Sequence, residues 1–334
     1  MKLYSLLFST FADDMEIICM PLWAWILFYV LVIVMLYADL KLFGRKGQHE
    51  VSVGEALKMT AVWIIVSLIF CCGIWYYEGD NKAMEFLAGY LIEKSLSMDN
   101  LFVFLMLFSF FGVQRKYQHE VLFWGIFGAL ILRSIFIFAG AAMVQRFEWI
   151  LAVFGIFLIY TGIKMFGHQE ESVDPSKNIF VKLFKKFFPV TDQMHEDKFF
   201  IIENGKRLAT PLFIALLVIE TTDVAFAVDS IPAVFSVSRD PFIVLTSNIF
   251  AILGLRALYF ALAAIAQYFQ YLKYGLGIIL SFVGVKMLME VFGFGKVPTG
   301  ISLLIIFGVL VLSMGLSVIL SRNKCDKRDN NHRP

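Results

Sequence analysis

The sequence predicts an all-α fold. It reads as a polytopic membrane helix bundle of about nine spans, N-terminus outside and C-terminus inside, with two inverted three-helix repeats. Three observations predict this. First, 59% of the 334 residues are hydrophobic, only 17% are charged, and the mean hydropathy is +0.76. A soluble domain averages about 25% charged residues. Second, the apolar surplus falls in runs wide enough to cross a bilayer, which takes about 20 residues of helix. Third, a set of motifs with charged members recurs in the second half of the chain at a nearly constant offset.

Residues 1–20 read as an N-terminal tail, because Asp13, Asp14 and Glu16 follow the short apolar start where a signal peptide needs small residues. Two leading spans, 21–40 and 57–77, occupy a first segment, 21–85. A first unit, 86–167, holds spans 86–111, 119–144 and 149–167. A loop, 168–209, separates it from a second unit, 210–292, with spans 210–236, 242–266 and 273–292. A last span, 299–321, lies in segment 293–321, and 322–334 is a basic tail. Trp23, Trp25, Tyr37, Trp63, Trp75, Tyr76, Tyr77 and Trp149 sit near span ends, as interfacial aromatic residues do.

Lysine and arginine set the orientation. With the N-terminus outside, 19 of these cations fall on the inner side and five on the outer. Positive charge collects on the cytoplasmic side of membrane proteins. In the loop, Phe180, Leu183, Phe184, Phe187 and Phe188 follow helical spacing, with Lys182, Lys185 and Lys186 between them. This predicts a basic amphipathic helix over 177–188, suited to anionic lipid or to a docking partner. Beyond it, Phe199–Ile202 meets Asn204-Gly205, a hairpin signal.

The repeat has three parts. Asp99-x-x-Phe102 matches Asp223-x-x-Phe226. Ile126-Phe127-x-x-Leu130-x-Leu132-Arg133 matches Ile249-Phe250-x-x-Leu253-x-Leu255-Arg256. Gly155-Ile156-x-Leu158-x-x-x-Gly162-x-Lys164-Met165 matches Gly277-Ile278-x-Leu280-x-x-x-Gly284-x-Lys286-Met287. The offsets are 124, 123 and 122 residues. Three spans per unit, an odd number, invert the second unit relative to the first. Inverted repeats are a recurring plan of secondary transporters, whose substrate site lies near the midplane between the repeats. Asp99 and Asp223 fall near the middle of their spans.

Ten ionisable residues lie within or near the six spans of the units: Glu93, Lys94, Asp99, Arg133, Lys164, Glu220, Asp223, Asp229, Arg256 and Lys286. Lys164 and Lys286 approach span ends, where they can snorkel. Each of the others costs roughly 2.5–3.5 kcal/mol at a span centre on the insertion scale, so they must pair, neutralise or face water. Pairing is one reading, with Arg133, Arg256 and Lys94 as charge partners of the acids. A cation site is the other. Glu220 and Asp223, at i and i+3, share a face, with Asp229 about 120° away. Pro232 follows, where a helix break would free carbonyls. Glu93 and Asn100, at i and i+7, share a face beside Asp99. The candidate metal ligands are therefore Asp99, Asp223, Glu220, Glu93, Asn100 and Asp229, an oxygen-rich set that suits Mg²⁺, Ca²⁺ or Mn²⁺. The five histidines fall in or at the edges of loops, and no CxxC occurs among the four cysteines. Neither a soft-metal site nor a thiol redox centre has support. No Ser/His/Asp, HExxH or paired GxGD arrangement lies in the spans, so no enzyme is expected.

The runs Glu93-Lys94-Ser95-Leu96-Ser97-Met98-Asp99-Asn100 and Glu220-Thr221-Thr222-Asp223-Val224-Ala225-Phe226-Ala227-Val228-Asp229-Ser230-Ile231-Pro232-Ala233 resemble the two signatures of the TerC family. Phe250–Phe260 resembles a third. The likeness extends from about residue 20 to 321. It implies a multi-pass protein of the inner (plasma) membrane, acting in metal homeostasis, with manganese export as the activity. It implies no bound cofactor beyond the transported ion, and a bilayer rather than nucleic acid as partner. Members are also linked to tellurite resistance and to thylakoid assembly, so a membrane scaffold or stress factor is the alternative.

Overall fold

A computed structural model of the protein describes residues 20–44, 53–147, 149–166, 198–203, 205–265, 272–295 and 297–331, with 181, 183, 184, 186 and 188–191. At Asp99 only the backbone is described. The helices are α1 (Leu22–Gly44), α2 (Val53–Glu78), α3 (Asp80–Phe110), α4 (Arg115–Arg146), α5 (Trp149–Lys164), α6 (Pro211–Phe235), α7 (Pro241–Leu253), α8 (Leu255–Ile265), α9 (Leu272–Val291) and α10 (Thr299–Asn331). A helix or helix pair overlies each of the nine predicted segments. Six helices (α1, α2, α4, α6, α9 and α10) are long and apolar enough to cross a membrane, and the bent pair α7–α8 is a seventh if taken as one span. α5 has only 16 residues, and α3 carries Glu93, Lys94 and Asp99 along its middle. The chain is an all-α polytopic membrane protein.

Local chemistry places the helix ends. Gly79, at φ 87°, turns the chain from α2 into α3 in a conformation that other residues adopt poorly. α6 and α7 open with proline at the first turn, where no backbone donor is lost. The Asp240 side chain caps α7 by accepting from the Phe242 amide at 3.0 Å.

Two expectations about breaks are corrected. α6 runs through Pro232 to Phe235. Proline in the final turn forfeits one backbone bond, and the Ser236 amide still bonds the Pro232 carbonyl at 3.1 Å. The break lies instead at Gly254, where α7 and α8 meet at 41°. The equivalent position of the first unit, Ile131, lies within the uninterrupted α4. His119 also sits inside α4, which begins four residues before the predicted span, with its ring 4.2 Å from Phe260.

Contacts between the two units come in matched sets. α3 packs on α7 as α6 packs on α4, and α3 touches α9 as α6 touches α5. The third helices, α5 and α9, pack against each other antiparallel, with no room for a side chain at four glycines. A Cβ on Gly155 would lie 3.0 Å from the Gly284 carbonyl oxygen, and one on Gly162 would lie 2.7 Å from that of Gly277. Gly155 is the repeat equivalent of Gly277, and Gly162 of Gly284. Each glycine therefore meets the repeat equivalent of the other glycine on its own helix, the pattern of an isologous two-fold contact. The leading helices cover one flank through an aromatic cluster in which Phe70 lies 4.6 Å from Phe250, with Phe28 and Phe86 beside them.

In the loop, the predicted hairpin forms as β1 (Phe200–Glu203) paired antiparallel with β2 (Lys206–Ala209), closed by Gly205 at φ 72°. Most of 177–188 lies outside the described residues. Of the apolar face predicted to suit lipid or a docking partner, Phe184 packs on Phe213 of α6 at 5.1 Å and stacks on Phe188, while Leu183 is exposed.

Candidate functional site at the interface of the two units

Among the described residues Arg133 is the largest fully buried side chain, at 0% exposure in the middle of α4. A guanidinium carries five donors and no acceptor, and in an apolar core those donors need partners. Three other helices provide them. From α6, Asp223 accepts in a fork, Nη2 to Oδ1 at 3.1 Å and Nε to Oδ2 at 3.3 Å. From α3, Glu93 Oε1 accepts from Nη1 in a close ion pair. Ser230, two turns beyond Asp223 on α6, accepts at 3.3 Å, and Asn248 Oδ1 on α7 accepts at 3.1 Å. Ser97 donates to Glu93 Oε1 at 3.1 Å from one turn away. The first two helices of each unit thus converge on one cation, and acids from both units share it.

The centre leaves polar capacity over. Glu93 Oε2 and Asn248 Nδ2 are buried without a partner among the described residues. Glu220 Oε2 is a third such atom. The Glu220 carboxylate lies directly on the backbone of α4 at Gly128, where a Cβ would come within 2.1 Å of Oε1. Gly125 admits Ile219 in the same way, at 3.3 Å. Glycines one turn apart thus make the groove that receives α6.

The predicted site residues divide. Glu93 and Asp223 meet at Arg133, and Glu220 lies one turn from Asp223. Asn100 is buried on α3, and Asp229 is half-buried beside Ser230. The Asp99 side chain falls outside what is described. No three His, Cys, Asp or Glu side chains among the described residues are gathered as a metal cluster. The described carboxylates are organised around an arginine. Of the predicted charge partners, Arg133 does bridge to an aspartate. Arg256 instead pairs with Asp39 of α1, Nη2 to Oδ2 at 2.9 Å and to the Asp39 carbonyl oxygen at 2.7 Å. Lys94 donates to the carbonyl oxygen of Ala251 at 3.1 Å, at the end of α7. Lys286 is buried rather than snorkelling, whereas Lys164 is exposed. Sequence reasoning missed Asp39, Ser230, Asn248 and Gly128. Ser230 had a signal, being i+7 from Asp223 on one face, and Asn248 directly precedes the repeated Ile249-Phe250.

The units are joined separately at the ends that carry Lys82 and Asp240. Lys82 bridges Glu85 at 3.2 Å and Asp240 at 3.1 Å, and Ser238 donates to Glu85 at 2.6 Å. Arg239 pairs with Glu290 at 2.9 Å. Burial works against the Lys82 ammonium, but the Asp240 and Glu85 carboxylates outweigh it and hold its pKa above the ordinary value.

Residues 78–325 match the model of the TerC integral membrane protein family. The chain belongs to the TerC family. It is 48% identical over 299 residues to an uncharacterized membrane protein of Myxococcus xanthus, covering 90% of this chain and 93% of that one. It is 48% identical over 295 residues to Alx of Escherichia coli (strain K12), covering 86% and 91% respectively; the name given to that protein proposes a membrane-bound redox modulator. A membrane protein of Rickettsia bellii is 40% identical over 296 residues, covering 89% and 97%. No solved structure matches the chain.

Proposed function

We propose that this TerC-family protein is a transporter that exports a divalent cation across the inner (plasma) membrane, with Mn²⁺ as the first candidate. The observation that carries the reading is the sharing of Arg133 between Glu93 of one unit and Asp223 of the other. A buried guanidinium held by acids from two units is a built-in counter-cation. Displacing it exposes two carboxylates on facing helices, with Asp99, Asn100 and Glu220 on the same two helices as further oxygen ligands and Asp229 beyond them. Hard divalent cations take such oxygen sets. Glu93 and Asp223 are paired with Arg133, whereas Glu220 buries its Oε2 without a partner among the described residues; ionised, it places an unmatched negative charge in the apolar core. Such a charge is costly there, which gives a physical reason for proton exchange when the cation leaves. The carboxylates also argue against tellurite as a direct substrate, since an acid-lined site repels an anion.

The alternative is a scaffold or stress factor without transport, in keeping with the redox-modulator name of the relatives. Cys71 and Cys72 are the described thiols, adjacent on α2, and Cys71 Sγ faces the Ala83 carbonyl oxygen at 3.5 Å. Proteoliposomes loaded with Mn²⁺, Ca²⁺, Mg²⁺ or Zn²⁺, with and without a pH gradient, separate the readings. Transport predicts Mn²⁺ flux that Asp223→Asn and Glu93→Gln abolish while the proteins still insert. Undiminished flux through both variants, or no flux of any cation through the wild type, overturns it. The scaffold reading predicts instead that deleting 176–206 removes the cellular phenotype and that Asp223→Asn leaves it.

A further inference from the structure

The second arginine of the repeat is engaged quite differently from the first. Arg256 sits two residues past the break at Gly254, in the first turn of α8. Its guanidinium grips α1 at two points, the Asp39 carboxylate and the Asp39 carbonyl oxygen. The Phe123 ring of α4 lies 6.0 Å from its guanidinium carbon, within reach of a cation–π contact. Both members of the ion pair are buried, at 2% and 4% exposure. α8 is therefore a half-span, bent by 41° from α7 and tied to a helix outside the two repeat units.

The hinge itself is crowded and charged. A Cβ on Gly254 would lie 3.1 Å from Lys94 Nζ and 3.1 Å from Trp63 Cβ. Lys94 donates to Ala251, one of the last carbonyls of α7, where a positive charge also complements the helix dipole. Lys94 is the chain neighbour of Glu93, which holds Arg133. One turn of α3 thus touches the central charge cluster with one side chain and the hinge with the next. Any shift of Glu93 on releasing Arg133 moves the residue that caps the hinge.

We propose that α8 is a gate: it swings about Gly254, the Arg256–Asp39 pair latches it shut against α1, and Glu93-Lys94 couples it to the central cluster. In the N-out orientation this half-span lies toward the cytoplasmic side, so the gate controls access between the central site and that side. The role as a gate rests on the transport reading, but its movement is measurable without any flux. The first unit has no counterpart, because α4 is continuous through Ile131.

The test reads accessibility of a cysteine placed at Ala257, which is 1% exposed in α8. Ala257→Cys is made in full-length protein whose four native cysteines are changed to serine, and a membrane-impermeant maleimide is applied to inside-out vesicles. Asp39→Asn and Arg256→Gln should each speed labelling several-fold. The exchanged pair Asp39→Arg with Arg256→Asp should return the rate toward that of the latched parent, which keeps the native pair. Unchanged labelling in both single variants, or no recovery in the exchanged pair, overturns the proposal. Hydrogen exchange of the wild type in lipid nanodiscs is independent of whether the variants fold. The amides of 255–265 should exchange together and faster than those of 241–253, and equal protection of the two segments overturns the hinge. Faster labelling without cation flux would leave the moving half-span standing and remove the transport reading; cation flux with unchanged labelling would do the reverse.

Discussion

At the scale of single residues, Arg133 governs the centre because it is the cation that two units share. Deleting one side of a buried ion pair leaves uncompensated charge and costs about 3–5 kcal/mol. Arg133→Leu strands both Glu93 and Asp223 and is expected in that range. Glu93→Gln leaves the Asp223 fork in place and should cost less, about 1–3 kcal/mol, the scale of one buried polar group losing its partner. Thermal unfolding midpoints in detergent, followed by size-exclusion chromatography of the heated protein, rank the two. Equal losses would deny Arg133 its central place. Gly128→Ala acts on the neighbouring acid. The new methyl occupies the position of the Glu220 carboxylate, so Glu220 must swing away. Because that carboxylate ends a flexible side chain, the expected loss of stability is small while Mn²⁺ flux falls. Unaltered flux in a well-folded Gly128→Ala protein would separate Glu220 from the transport path.

At the scale of elements, the helices under the predicted segments, the hairpin and the repeated motifs were legible because each rests on local pattern. Apolar run length, the Asn204-Gly205 turn and motifs that keep Asp, Arg and Lys in register all lie within short windows. The partners were not legible in the same way. Asp39 lies 217 residues from Arg256 and at the end of a span outside both units. Lys94 bonds a backbone carbonyl, which leaves no trace in side-chain identity. Pro232 suggested a break that its place in the last turn of α6 makes unnecessary. Gly254 gave no warning, since a single glycine in an apolar run reads as tolerated helix. The clasp of Lys82, Glu85 and Asp240, which ties the start of α3 to the cap of α7, allows a test at this scale. A lysine whose pKa rises on folding contributes stability that is fully present below its ordinary value of 10.5 and is lost as pH climbs through the folded value. Lys82→Met should therefore lower the unfolding midpoint by a constant small amount near about pH 8, and the gap should close in strongly alkaline buffer. A gap that persists there would assign the effect to packing of the lysine stem.

At the scale of the molecule, the two units are held by contacts of two kinds. The charge centre joins the first two helices of each unit through one guanidinium, and it is not duplicated, because the repeat mate of Arg133, Arg256, pairs with Asp39 of α1 instead. The glycine contacts between α5 and α9 are duplicated, Gly155 with Gly284 and Gly162 with Gly277. This difference yields a test of the two-fold arrangement that needs no functional assay. Introducing a Cβ at any of the four glycines meets backbone atoms at 2.5–3.0 Å, so the helices must separate, and overpacking of this kind costs about 1–3 kcal/mol. Once Gly155→Ala has forced its end of the α5–α9 pair apart, Gly284→Ala at the same crossing adds little, and the double variant falls well short of the sum. Gly155→Ala with Gly162→Ala acts at two crossings about 10 Å apart along the helix, given a rise of about 1.5 Å per residue, and should come closer to additivity. Full additivity within the Gly155–Gly284 pair would show that the two glycines do not share one contact, and the two-fold packing of the third helices would fall with it.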